Sequence, residues 1–315
     1  MTYDNLKMDR HAYLIICHGH WEILKLLLQT LDDERNDIYV HVDKKVKKFP
    51  KTLLKSVVLK SRLTFVPRRL VSWGGYSQIE SELFLLAEAI KTYHSYYHLL
   101  SGVDFPIKTQ NYIYNFFAEH RGNNYIKYDW NFMSGNAHLE RIREYHFFQE
   151  KIGHNVGKMA AFWWYAEKMS LEFQKKISVN RIKGRESEFF KGTNWFSITH
   201  ELASFVVSRT NYIERNFRYS LCADEMFLQT VANSSPFKKS IIDDTLRLID
   251  WSRGNPYIFK SADYDLLIKS DKLFARKFDE NVDIEIVKRL AKQLTSDSEA
   301  GTCKWEQWFS EDVPF

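Results

Sequence analysis

Residues 12–43 constrain the fold more than any other stretch. AYLIICH (12–18) is a short apolar run. WEILKLLLQTL (21–31) repeats apolar residues at helical spacing, with Ile23, Leu24, Leu27, Leu28 and Leu31 on one side. DIYVHVD (37–43) is a second short run, rich in β-branched and aromatic residues. Strand, helix, strand in this order is the pattern of a parallel βαβ unit, and it predicts an α/β fold.

The alternation continues along the chain. RLTFVPR (62–68) predicts a third strand and SWGGYS (72–77) a turn. Ser77 is placed to cap the helix QIESELFLLAEAIKTY, whose Ile79, Leu83, Leu86 and Ile90 form one stripe. YYHLLSG (96–102) predicts a strand, NYIYNFFAEH a helix and NNYIKYDW a strand. Residues 131–193 are less regular, basic and aromatic. They read either as two amphipathic helices with a solvated loop, or as an acceptor-binding insertion carrying Trp163 and Trp164. From residue 194 the alternation returns. NWFSIT and LRLIDW predict strands, while HELASFVVSR, ADEMFLQTVANS, SADYDLLIKS and IEIVKRLAKQL predict helices. No Pro/Gly/Ser linker divides residues 1–294, which are expected to form one domain. Residues 295–315 are a tail, polar and then aromatic at Trp305, Trp308 and Phe309.

Charge narrows the partners. Forty-five basic and 40 acidic residues leave a net charge of +5. That balance, with no nucleic-acid motif, argues for no nucleic acid as a partner, but suits an anionic ligand or peripheral contact with a membrane. An aromatic content of 16% exceeds core needs and fits a sugar or base site. Three widely spaced cysteines, Cys17, Cys222 and Cys303, leave one unpaired and favour a reducing compartment. There is no run of 18 apolar residues, and MTYDNLKMDRH does not read as a signal peptide. The expectation is a cytoplasmic location, compatible with a peripheral place at a membrane face.

Several segments carry side chains suited to chemistry. Asp43 ends the 37–43 run and is followed by Lys44 and Lys45. In LLSGVDFPIKT (99–109), Ser101 and Asp104 stand at a strand exit, where open α/β sheets place their ligands. LVSWGGYSQ holds Trp73 before Gly74 and Gly75, a turn that lets backbone approach a ligand closely. Asp224 and Glu225 fall in the first turn of the helix read at ADEMFLQTVANS, where the helix dipole favours carboxylates. A carboxylate fixed there suits a general base on a sugar hydroxyl, although plain capping gives the same pattern. Arg253, Arg276 and Lys277 could carry a diphosphate through charge-assisted bonds. CHGH (17–20) offers His18 and His20 as half a metal site, but no partner cluster has metal-ligand spacing, so no metal is predicted.

Taken together, these segments resemble the core-2/I-branching β-1,6-N-acetylglucosaminyltransferase and peptide O-xylosyltransferase family. IYVHVDKK, VSWGGYSQIESEL, YYHLLSGVDFPIKT, KGTNWFSITHE, CADEMFLQT and LFARKFDE each look like a family motif, and they occur in the family's order from about residue 12 to 294. The resemblance implies a GT-A glycosyltransferase fold, with a Rossmann-like mixed sheet flanked by helices. It also implies inverting transfer from a UDP-sugar to a hydroxyl of an oligosaccharide or glycolipid acceptor, without a required metal or other cofactor. Glu225 would be the catalytic base and Asp43 would contact the uracil. Ser101 would stand where metal-using relatives place the first carboxylate of an Asp-x-Asp pair. Lys277 matches the diphosphate-binding lysine. The partner arginine of the family falls on Gly254, with Arg253 one residue away as the substitute and Arg247 as the fallback. Trp195 and Trp251 could pack on sugar faces or in the core. N-acetylglucosamine is the expected donor sugar and xylose the alternative, and a bacterial-type member is expected because the animal members' membrane anchor and disulfides are not read here. A binding protein that has lost catalysis is the reading from a different class.

Overall fold

In the computed structural model, residues 9–154 and 157–296 are described. Cys303 and the tail aromatics Trp305, Trp308 and Phe309 lie outside the described residues. The expected βαβ unit opens the chain. β1 (His11–Cys17) and β2 (Asn36–Val42) flank the helix Trp21–Leu31. β1 pairs in parallel with β2, Tyr13 opposite Ile38. β2 is buried throughout and β1 nearly so, as befits strands covered on both faces. Leu24, Leu27, Leu28 and Leu31 of the helix are fully buried, worth about 1.5–3 kcal/mol each. The helix stops at Asp32, whose carboxylate accepts from the backbone N–H of Leu59, Lys60 and Ser61 at 2.7, 2.9 and 2.7 Å.

The remaining strands are β3 (Arg62–Phe65), β4 (Tyr96–Ser101), β5 (Phe105–Pro106), β6 (Asn124–Tyr128), β7 (Gly192–Thr199), β8 (Ile241–Ile242), β9 (Arg247–Ile249) and β10 (Phe274–Arg276). The main sheet runs β3-β2-β1-β4-β7-β6-β8, and a small sheet runs β5-β10-β9. β3, β2, β1 and β4 are parallel, and β7 is antiparallel to both β4 and β6. This is the expected mixed sheet flanked by helices. One core cluster lies under the helices Trp21–Leu31 and Glu285–Ser296, the other under Tyr76–Ala89 and His200–Ser208.

Buried Arg247 joins the two sheets. Its guanidinium donates to the carbonyls of Leu99 (3.0 Å) and Phe196 (2.7 Å) and to Ser197 Oγ (2.8 Å). Burial pulls its pKa down to about 10.

Three local expectations need correction. Ser77 lies inside the first turn of the helix Tyr76–Ala89 and does not cap it. The cap comes from a distant helix: the Glu150 carboxylate accepts from Ser77 N at 2.8 Å and Ser77 Oγ at 2.9 Å. The segment 223–234 is not one helix. A short 3-10 turn, Ala223–Glu225, precedes the helix Phe227–Asn233, with Met226 out of helical geometry (φ −131°) between them. The segment 131–193 holds several short helices besides the long one at Gly157–Lys176, because its buried positions are too scattered for two continuous amphipathic helices.

Candidate active site

β2 and β4 lie on opposite sides of β1, so the strand order reverses at β1 and opens a crevice at the carboxyl ends. Gly102 lets the exit of β4 lie against the end of β1. A Cβ there would sit 2.7 Å from Cys17 Cβ. The start of the helix Trp21–Leu31 is a natural anion site, but Glu280 already fills it, accepting from Glu22 N (3.0 Å) and Ile23 N (3.3 Å). A diphosphate in this crevice therefore needs another source of positive charge.

Asp43 stands at the exit of β2, buried except for its edge. Its Oδ1 accepts from Lys45 N at 2.8 Å, and Lys45 Nζ lies 3.6 Å from Oδ2. His18 is lowered from its ordinary pKa mainly by burial; Asp43 opposes this, while His20, Lys277 and Lys45 add to it. Asp43 and Lys277 thus share one electrostatic neighbourhood around the end of β1. Among the described residues, no carboxylate forms an ion pair with Lys277.

Ser101 and Asp104 form a closed corner at the exit of β4. Asp104 is fully buried. Its oxygens accept from Ser101 N (2.8 Å), Ser101 Oγ (2.8 Å) and the Arg276 guanidinium (2.6 Å). Arg276 also donates to Ser101 Oγ at 2.6 Å and lies over the Trp195 ring at 4.4 Å. Trp195 is only 9% exposed with this guanidinium on its face, which leaves little ring for a sugar.

Glu225 sits in a different setting. Cys222 enters the turn in the left-handed region (φ 47°), and its N–H donates to Gly74 O at 2.8 Å. Gly74 itself has φ +73°, and a Cβ there would meet Gln149 Nε2 at 2.9 Å and Cys222 Sγ at 3.1 Å. The Trp73–Gly74 turn and the Cys222–Glu225 turn therefore interlock, leaving the Trp73 side chain 74% exposed beside them. Gln78 completes the joint, accepting from Gly74 N and donating to Asp224 Oδ2 at 3.1 Å. The Glu225 side chain is 36% exposed, with Oε2 held by Arg141 at 2.7 Å and Lys191 at 3.4 Å. Among the described residues, Oε1 accepts no hydrogen bond. Buried Asp224 is pushed up to about 7, first by burial and then by Glu225. Beneath it, fully buried Glu82 is raised well above the usual range by burial and by Asp224, opposed by a hydrogen bond to Asn194. Asn194 and Trp195, consecutive on β7, thus meet Glu82 below Asp224 and Arg276 beside Asp104.

Other expected residues stand apart. Arg253 is committed to two carboxylates, Asp250 at 2.5 Å and Asp263 at 2.7 Å, and stacks 3.9 Å over Tyr257. Its charge is already matched. Arg247, the fallback, is 4% exposed, with its two terminal nitrogens held by the Leu99 and Phe196 carbonyls and Ser197 Oγ, so it cannot reach a phosphate. Trp251 is exposed. His20 faces Asp279 at 3.6 Å, and among the described residues no group of three or more His, Cys, Asp or Glu side chains is placed to hold a metal. Sequence reasoning missed Arg141 and Lys191 as partners of Glu225, Gln78 as the link between turns, and Arg276 as the partner of Asp104. Arg276 adjoins Lys277 in FARKF, and that adjacency is its signal; Arg141 lies in the irregular 131–193 stretch, where the sequence offers no signal for it.

Comparison with known proteins adds independent information. The family model described as Core-2/I-Branching enzyme matches residues 11–265. A xylosyltransferase of Ciona intestinalis is 24% identical over 95% of this chain and 36% of its own length. Xylosyltransferase 2 of Rattus norvegicus is 24% identical over 93% of this chain and 34% of its own length. The chain thus spans about a third of the length of these curated relatives. Mouse xyloside xylosyltransferase 1, in its apo form, covers 84% of this chain and 96% of its own at 11% identity, with a TM-score of 0.38, too slight a likeness to carry an argument.

Proposed function

The chain belongs to the core-2/I-branching enzyme family and has a mixed sheet flanked by helices, and from that premise we propose that it is a GT-A glycosyltransferase that transfers a sugar from a UDP-sugar to a hydroxyl of a glycan acceptor with inversion. One observation carries the reading: the Glu225 carboxylate is pinned through Oε2 and open at Oε1. A base needs both properties, fixed direction and a lone pair within reach of substrate. Glu225 Oε1 takes the proton of the acceptor hydroxyl. The acceptor oxygen bonds to the anomeric carbon as the bond from that carbon to the diphosphate breaks, and UDP departs with the electron pair. An α-linked donor gives a β-linked product.

The leaving diphosphate needs positive charge in place beforehand. Lys277 supplies it in this reading, beside Asp43, which contacts the uracil. At the Ser101–Asp104 corner the guanidinium of Arg276 occupies the Asp104 carboxylate. That donor set favours metal-independent chemistry. Trp73 and Gly74 line the acceptor or sugar side next to Glu225, and residues 131–193, which supply Arg141 and Lys191, form the acceptor side. N-acetylglucosamine is our first donor, as the commoner donor of the family; VDFPIKT looks close to that branch, while FARKF and WGG look closer to the xylosyl branch. The similar xylosyltransferases of Ciona intestinalis and Rattus norvegicus favour xylose as the second reading.

A thermal-shift panel of UDP-sugars in excess chelator tests both points, because a ligand that binds the folded state raises its melting temperature. UDP-N-acetylglucosamine should give the largest shift. A larger shift with UDP-xylose would move the donor assignment, and shifts that appear only on adding manganese would end the metal-independent reading.

A further inference from the structure

The helix Gly157–Lys176 turns large apolar side chains to water as well as inward. Its inward face is mixed, with Trp163 stacked on Phe148 beside two buried polar side chains. Glu167 accepts from Phe148 N at 2.9 Å and pairs with His146 at 2.9 Å. Gln174 accepts from Tyr145 N at 2.7 Å and donates to Tyr145 O at 2.9 Å. Both side chains are buried. An outward stripe is apolar: Met159, Phe162, Tyr165, Met169, Phe173 and Ile177 recur every three or four residues. Phe162, Tyr165 and Phe173 are 58, 61 and 62% exposed, and the other three are also exposed. An apolar stripe of this length on a surface marks a contact with something other than water.

Charge selects the occupant. The helix carries four lysines, Lys158, Lys168, Lys175 and Lys176, all exposed, against one exposed acid, Glu172. A second copy of the chain would bring these lysines against each other. An anionic bilayer accepts the rings into its headgroup boundary and the lysines at its phosphates. We infer that this stripe is a membrane-docking surface for anionic lipid, with the helix lying in the interface plane. The inference does not depend on the donor chemistry or on Glu225.

The test is vesicle flotation of the full chain. The protein should float with phosphatidylglycerol-containing vesicles and, since each lysine near an anionic surface is worth about 1 kcal/mol, at least about tenfold less with pure phosphatidylcholine. Phe162→Ser combined with Phe173→Ser should abolish flotation and leave the melting temperature unchanged, since both side chains are exposed. Lys175→Glu combined with Lys176→Glu should weaken flotation and its dependence on anionic lipid. No flotation of the wild type, or equal flotation of the Phe162/Phe173 double variant, would overturn the inference. So would a concentration-dependent dimer that the same variant dissociates, which would assign the stripe to a second copy.

Discussion

The two carboxylate centres, Asp104 beyond the carboxyl end of β4 and Glu225 in the Ala223–Glu225 turn, are opposites. Asp104 is wholly buried, and its charge is answered by Ser101 and Arg276. Glu225 is partly exposed, with one oxygen answered and the other open. A buried charge must be fully paired or the fold loses more than it gains. A reactive charge must keep some capacity unspent. The difference separates a group that holds the site's shape from one that can act on a substrate, although both lie at turns that the sequence marks equally well.

The contrast can be broken most severely at Arg276. Arg276→Ala leaves Asp104 buried without its cation and should cost about 3–5 kcal/mol of stability, read from denaturant unfolding. Asp104→Asn in the same chain should recover much of that loss. If Arg276→Ala alone were neutral, the corner would not be the closed ion pair described. Unlike Arg276, Lys277 has no carboxylate partner among the described residues, and Lys277→Ala should weaken UDP binding by the worth of a charged hydrogen bond, about 1.5–3 kcal/mol by calorimetry in chelator. Arg253→Ala, already paired with Asp250 and Asp263, should leave UDP binding essentially unchanged. A reversal of those two results would return the diphosphate to Arg253.

A smaller effect sharpens the account of Asp224. Its folded pKa is about 7, raised above the unfolded carboxyl value. The folded chain therefore keeps a proton that the unfolded chain has released, and stability falls as pH rises from about 4 to about 7. Glu82 acts in the same direction. Asp224→Asn removes part of this dependence. Its melting temperature relative to wild type should be more favourable at about pH 8 than at about pH 5. The opposite slope would mean that Asp224 is ionised in the folded protein.

The legibility of these features in the sequence follows their range. The helix Trp21–Leu31 was readable because Ile23, Leu24, Leu27, Leu28 and Leu31 carry its period, and each proved buried. β5 and β8 are two residues long, too short to show any period, and LFARKFDE gave no sign that β10 would form a strand in a second sheet. Ser77 looks like a cap in the sequence because nothing local reveals that the helix starts at Tyr76 and that Glu150, from a distant helix, takes the Ser77 N–H. The candidate carboxylates were legible as residues and not as environments. Arg141 and Lys191 come from the least periodic stretch, and what makes Glu225 unlike Asp104 is which side chains arrive from there. Arg253 misled for the same reason: Asp250 is three residues away and Asp263 ten, and only the folded loop brings both carboxylates onto one guanidinium.

The most direct test of the account is Glu225→Gln, with turnover and UDP affinity measured on the same preparation. The variant keeps the shape of the side chain and removes its basicity. Turnover should fall by about a hundredfold to ten-thousandfold while UDP affinity stays within about twofold of wild type. Turnover equal to wild type would contradict the claim that the open oxygen of Glu225 primes the acceptor.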